Sequence, residues 1–165
     1  NDPTLTEQER ARVETVAPYE LDAWDGYFVE REVVLGTARS LAKNLVVLAG
    51  DTHNSWANNL KDMQGNAVGV EFATASVTSP GLGDHLELTG GTLARFESII
   101  RLLVDDLKYV NMGERGFMVV TFTEQDARAD WHYIDNILST EYSVLSSRHH
   151  ALRMRAGEPE LASIQ

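Results

Sequence analysis

The sequence predicts an α+β fold built in layers, with helices packed on a mostly antiparallel sheet. Three observations carry this. Helical periodicity is confined to the first 42 residues and to one later stretch after Gly90-Gly91. Most of the remaining chain reads as short runs of β-suited residues. Those runs are joined by polar, Gly-containing turns rather than by regular crossover helices, so the pattern is not a βαβ series.

Thr6 followed by Glu9 is a capping-box spacing, which places a helix start near Glu7, and the helix should stop before Pro18. A second helix is expected over residues 24–42. Tyr27, Val34, Ala38 and Leu41 line one face, extended by the aliphatic stem of Arg31. Residues 45–50, Leu-Val-Val-Leu-Ala-Gly, read as a buried strand. Residues 55–61 and 67–75 read as further strands around a polar turn at 62–66. Residues 76–84, with Pro80, Gly81 and Gly83, form a loop. A helix then carries Leu93, Phe96, Ile100 and Leu103 at helical spacing. Strands are expected at 108–111, 117–123, 127–134 and 142–154, with hairpin connections at 112–116 and 124–126. The domain reading is one partial domain over 1–165, with an N-terminal helix region at 1–17 and a frayed tail at 156–165.

At 165 residues the chain can bury a sizeable core. Its net charge of −11 argues against non-specific nucleic-acid binding, which needs clustered Lys and Arg. The same acidity repels phosphorylated substrates at long range, so phosphate chemistry here would need bound cations to reverse the local field. The absence of cysteine rules out disulfides, thiolate metal sites and thiol nucleophiles within the chain. No apolar stretch approaches the roughly 18 residues of a membrane span, and no signal peptide is visible at the start.

The segment best equipped for chemistry is Gly50-Asp51-Thr52-His53. Gly50 lets the backbone turn or approach a neighbour closely. In extended backbone past Gly50, Asp51 and His53 would project to one side of a strand's carboxyl end, two metal-ligand types together. The alternative is an Asp51 that hydrogen-bonds the turn backbone. Asn54, Asn58 and Asn59 add amide oxygens nearby, with turn roles the expectation for the last two. Trp24, Trp56 and Tyr27 read as core aromatics, and Asp25 as a helix-start carboxylate. His149-His150 cannot chelate one ion, because adjacent strand residues face opposite ways. His132 reads as a structural histidine beside Trp131. His85 is a loop residue that either reaches the site or lies on the surface. No Gly-x-Ser-x-Gly elbow, P-loop or Gly-x-Gly-x-x-Gly helix opening occurs. Metal-assisted hydrolysis is the chemistry left, but two ligands are too few for a two-metal site.

Several blocks in register carry a family resemblance over about residues 18–135. Asp22-Ala23-Trp24-Asp25-Gly26-Tyr27 with Glu30-Arg31, Val46 through Asn58, Glu71 through Leu82, Leu107-Lys108-Tyr109-Val110, Arg115-Gly116-Phe117 and Ala129-Asp130-Trp131-His132-Tyr133 resemble the PhoD-like alkaline phosphatases of the calcineurin-like metallophosphoesterase superfamily. The resemblance implies half of a layered αββα domain and hydrolysis of phosphate monoesters or diesters. It implies Fe³⁺ and Ca²⁺ as cofactors, with other divalent metals possible. Asp51 and His53 would be the catalytic, metal-binding pair, either ligating metal or touching metal-bound phosphate. Asn54 would be a supporting or substrate contact, and Asp25 and Tyr27 would border the pocket. The family's early metal motifs have no counterpart, so the chain resembles a C-terminal portion. Val104-Asp105-Asp106 also stands where many relatives carry Asn-Pro-His.

With only part of a metal site, the isolated chain is expected to be inactive or nearly so. Its partners would be a phosphate-ester small molecule and the enzyme's N-terminal half or a companion chain, with self-association an expected consequence. Neither nucleic acid nor a membrane span is expected. Family resemblance implies secretion or a periplasmic location through twin-arginine export. The rival readings are a non-catalytic binding or assembly module on the same scaffold, and a phosphodiesterase or phospholipase of the same superfamily.

Overall fold

A computed structural model describes residues 23–164. The helix expected after Thr6 lies outside the described residues. The chain divides into two compact units, Asn1–Val34 and Leu35–Gln165.

Within the first unit, a 3-10 turn over Trp24–Tyr27 leads into helix α1, Phe28–Ser40, which runs on into the second unit. Trp24 and Tyr27 are about half exposed, so neither is a core aromatic here. The face expected to be buried is also not the one chosen. Val34 and Leu41 are exposed, and Leu35 is the buried residue of α1. The cause is legible in the composition. Phe28, Val29, Val33, Val34 and Leu35 place apolar groups on several sides, so periodicity alone cannot select a stripe.

The second unit contains two four-stranded sheets. The first has the order β1-β3-β2-β4, from β1 (Leu45–Ala49), β2 (Ser55–Lys61), β3 (Ala67–Ala73) and β4 (Leu107–Asn111). Only β1–β3 is parallel in it. β1 stands at the sheet's edge and is half-buried rather than buried, because a strand paired on one side leaves its other flank open. The second sheet is an antiparallel meander, β5 (Arg115–Phe122), β6 (Asp126–Ile134), β7 (His150–Arg155) and β8 (Leu161–Ser163). The expected frayed tail is therefore corrected. Leu161 pairs with Met154, and its N–H donates to the Asn59 side-chain oxygen at 2.9 Å. That bond ties β8 across to β2 and gives Asn59 a structural task within a strand instead of the turn role expected. Residues 142–154 also do not form one strand. A bridge at Val144 and a 3-10 turn at Ser146–Arg148 precede β7.

The sheets face each other across the main core. Ala57, Val70 and Phe72 from one side meet Ala129, Trp131, Tyr133, Leu152 and Met154 from the other. Along β6 the alternation is strict. Ala127, Ala129, Trp131 and Tyr133 point inward and their neighbours are half-buried on the outer face, the period-2 signature of a one-sided sheet. Trp131 is fully buried, edge-on to Phe72 at 5.8 Å, and its indole N–H donates to the Ala73 carbonyl at 2.9 Å. On the far side of the first sheet, a helix at Gly90–Leu103 (α3, after the short α2 at Leu82–His85) lays Leu93, Phe96 and Ile100 over Leu107, Val110, Met112 and Trp56. Trp56 is half-buried and packs against this second cluster, so the core role expected of it is met in part. The stack of helix, sheet and sheet bears out the α+β layered half-domain. Among the described residues, no helix covers the outer face of the second sheet, where Phe117 and Val119 are exposed.

Candidate metal centre

β1 and β3 run parallel and end together at Ala49 and Ala73. The chain leaves β1 at Gly50 and enters β2 at Ser55, so the intervening loop sits at the carboxyl end of the parallel pair, where α/β sheets place their sites. The extended geometry expected there is not adopted. Asp51 has φ +67° and His53 φ +59°, both left-handed, and the Thr52 N–H donates to the Gly50 carbonyl at 2.8 Å around Asp51. Two non-glycine residues in strained backbone within three positions is the kind of strain that clusters at functional sites. Gly50 itself is not the strained residue, and a Cβ there would meet nothing within 4 Å. The conformational demand falls on Asp51.

His53 is half-buried, and its Nδ1 lies 2.9 Å from the Pro80 carbonyl oxygen. A carbonyl can only accept, so Nδ1 carries a proton, and the neutral ring in this tautomer has its lone pair on Nε2. Metal-binding histidines are oriented in this way, by a hydrogen bond at the other ring nitrogen. Asp51 is exposed at the loop's tip. An imidazole nitrogen and a carboxylate suit a hard or borderline cation, so these residues fit a metal ion as part of its ligand set. Among the described residues, no group of three or more His, Asp and Glu gathers to complete that set.

Asn54 holds the loop in place. Its side chain is buried, its amide N–H donates to the Thr52 carbonyl at 2.5 Å, and its oxygen accepts the Leu82 N–H at 2.9 Å. Trp56 adds an indole N–H bond to the Thr52 hydroxyl at 3.2 Å. The second wall is residues 76–84, which run into the short helix α2 rather than forming the plain loop expected. A Cβ on Gly81 would lie 2.6 Å from the Asn54 side-chain oxygen and 2.9 Å from the His53 carbonyl. Only glycine permits that approach. The Gly81 N–H donates to the Asp84 carboxylate at 2.8 Å, and Asp84 in turn pairs with Arg115 at the start of β5.

Of the other residues singled out, the Asp25 side chain lies outside the described residues, and Tyr27 is half exposed in the first unit. His85 is exposed at the end of α2. His132 stacks on Phe117 at 5.0 Å on the outer face, whereas Trp131 points into the core. His149 and His150 do face apart. His149 bonds Asp130 at 2.9 Å, and His150 stacks on Tyr109 at 3.9 Å in an apolar setting that lowers its pKa. The arrangement of Pro80, Asp84 and Arg115 was not foreseen. The Pro-Gly turn and the Arg115-Gly116-Phe117 block were visible, but their contact spans more than about thirty residues and leaves no local trace.

A family model described as PhoD-like phosphatase matches residues 1–131, and the chain belongs to that family. Alkaline phosphatase D of Bacillus subtilis (strain 168) is 32% identical over 118 residues, covering 68% of this chain and 19% of that protein. A solved structure described as "Structure of PhoD" superimposes with TM-score 0.66 at 23% identity, over 89% of this chain and 27% of that one. That last likeness shows a shared fold. The chain thus spans about a fifth of the length of the curated relative.

Proposed function

We propose that this chain contributes Asp51 and His53 to the metal centre of a phosphoester hydrolase acting on phosphate monoesters or diesters. The observation that supports it most directly is the His53–Pro80 hydrogen bond, which leaves Nε2 free to ligate, on the same loop as the exposed Asp51 carboxylate two residues earlier. Metal ions, Fe³⁺ and Ca²⁺ among the candidates, would supply Lewis acidity to the phosphoryl group and to the attacking water. The chain's own residues do the rest. His53 presents Nε2 in a fixed tautomer, Asp51 offers negative charge to a cation in an acidic protein, and Asn54 keeps both on one loop.

Completion of the site calls for further ligands from beyond the described residues, in the remainder of the enzyme or a companion chain. β1 supports such a docking. Among the described residues it is an edge strand paired on one side, its sequence is Leu-Val-Val-Leu-Ala, and Leu48 is 54% exposed. Self-association is the corresponding proposal for the chain alone, and sedimentation as a monodisperse monomer at high concentration would refute it. No described helix is long and apolar enough to cross a membrane. Export from the cytoplasm is proposed from family membership, and cell fractionation would test it.

Calorimetric titration with Ca²⁺, Mn²⁺ and Fe³⁺ tests the metal reading. Binding by the parent chain that disappears in the Asp51→Asn, His53→Ala double variant is the expected result. Equal binding by both would refute it. Hydrolysis of an aryl phosphate by this chain at the rate of a full-length relative would refute the incomplete-site reading.

A further inference from the structure

We propose that Arg115 and Asp84 are positioning residues for His53, acting through the Pro80–Gly81 peptide group. The functional meaning of this inference rests on the reading of His53 as a metal ligand, but the inference has its own observable.

The starting point is an arginine in a place that disfavours one. The Arg115 side chain is only 7% exposed, and its Nε is buried without a hydrogen-bond partner. Burying a guanidinium is costly, and an apolar side chain of similar reach would fill the space without that cost. What an apolar residue cannot do is hold a carboxylate. Arg115 donates through one terminal nitrogen to the Glu114 carbonyl at 3.3 Å and through the other to the Asp84 carboxylate. Asp84 is itself half exposed, so the pair is anchored from the β5 side.

The same Asp84 oxygen that meets Arg115 accepts the Gly81 N–H at 2.8 Å. That N–H belongs to the same peptide unit as the Pro80 carbonyl. The unit is planar and trans, so its N–H and C=O point in opposite directions as one rigid plate. One edge of the plate is gripped by Asp84, and the other accepts the proton on His53 Nδ1. Fixing the first edge fixes the second. A carboxylate on the N–H also polarises the amide and makes its carbonyl a stronger acceptor. The chain of contacts thus runs from Arg115 to Asp84, through one peptide, to the imidazole, and it sets both the ring's tautomer and the direction of Nε2. The Leu82 N–H, bonded to Asn54, and the Gly116 N–H, bonded to the Ser76 carbonyl at 3.1 Å, clamp the same loop at two more points.

The test is the His53 tautomer, read by long-range ¹H–¹⁵N NMR on the metal-free 165-residue chain labelled at histidine nitrogen. The parent chain should show the Nδ1–H form. Arg115→Met and Asp84→Ala should each shift His53 toward the Nε2–H form, and Arg115→Lys, which keeps a charge near Asp84, should restore much of the parent signal. Asp84→Ala alters a half-exposed side chain, so it carries the test even if Arg115→Met does not fold. An unchanged tautomer in folded variants would overturn the proposal. Zn²⁺, a diamagnetic probe, should bind Arg115→Met and Asp84→Ala about threefold to tenfold more weakly, below the loss expected for removing a direct partner of the ligand. A His53 signal unmoved by Zn²⁺ in the parent would overturn the metal-ligand reading instead, and the tautomer comparison would still decide the positioning role.

Discussion

Gly81→Ala and Gly50→Ala are the same chemical change, about thirty residues apart, on the two walls of one loop, and the structure expects opposite outcomes. At Gly81 the new methyl would meet the Asn54 oxygen at 2.6 Å, the His53 carbonyl at 2.9 Å and the Met112 carbonyl at 3.3 Å. None can yield cheaply. Two are backbone oxygens, and Asn54 is 3% exposed with both ends of its amide bonded. The backbone at Gly81 has φ −100°, which alanine adopts freely, so the effect is purely steric. Overpacking costs about 1–3 kcal/mol. Separating Leu82 from Asn54 leaves a buried amide oxygen unpaired, which costs about 1–3 kcal/mol again. Because one movement relieves the clash and breaks the bond together, about 3 kcal/mol is a fair total. For a domain of this size that corresponds to a fall in Tm of about 6–12 °C.

At Gly50 the methyl meets nothing within 4 Å, and no left-handed φ is required. There alanine should stabilise by about 0.4–1 kcal/mol, through the reduced entropy of the unfolded chain. Urea denaturation followed by tryptophan fluorescence measures both, with an unchanged m-value as the check on two-state behaviour. A Gly81→Ala variant within about 0.5 kcal/mol of the parent, a difference no larger than an ordinary surface substitution makes, would refute the reasoning. So would a Gly50→Ala variant as damaged as Gly81→Ala.

Asp51→Gly should relieve the left-handed backbone and stabilise the chain by about 1 kcal/mol while abolishing its metal binding, seen as a raised Tm beside a flat titration. Glu71 is half-buried on β3, and that burial raises its pKa. A raised carboxyl pKa favours folding below the unfolded value near 4.3, and this contribution is lost as pH climbs through the folded value. Glu71→Gln should therefore raise Tm at about pH 7 and leave it nearly unchanged at about pH 4, and a uniform shift at both would contradict the burial argument. Asp130 has the opposite sign. The Arg128 guanidinium, with a second bond from His149, holds its carboxyl below the usual range. Its contribution is present above about pH 4 and is lost on acidification, so Asp130→Asn should cost stability at about pH 7 and little at about pH 2. Trp131→Phe should cost about 2–3 kcal/mol by denaturation, because the Ala73 carbonyl loses its buried donor and the core loses the fused ring.

Local patterns determined a good deal of this protein. The apolar run at residues 45–49 specified a strand, the spacing of Leu93, Phe96 and Ile100 specified a helix packed by one face, and Gly50-Asp51-Thr52-His53 marked the loop. Those signals are visible because each rests on neighbours within a few residues, where side-chain alternation and helical periodicity act. Tertiary structure decided what such neighbours cannot. It buried Leu35 where periodicity pointed to Val34, because α1 carries apolar groups on several sides and only a packing surface selects one. It folded the chain's end back as β8, because Asn59 supplied an acceptor about a hundred residues away. It placed the backbone strain on Asp51 and His53 instead of Gly50, against the intrinsic preference of both, because the Pro80 carbonyl and the Leu82 amide hold that loop from the neighbouring segment after β3. Asp51 and His53 are written in the sequence. The tautomer and aim of His53 come from Pro80, Asp84 and Arg115, which reach it only once the strands have paired.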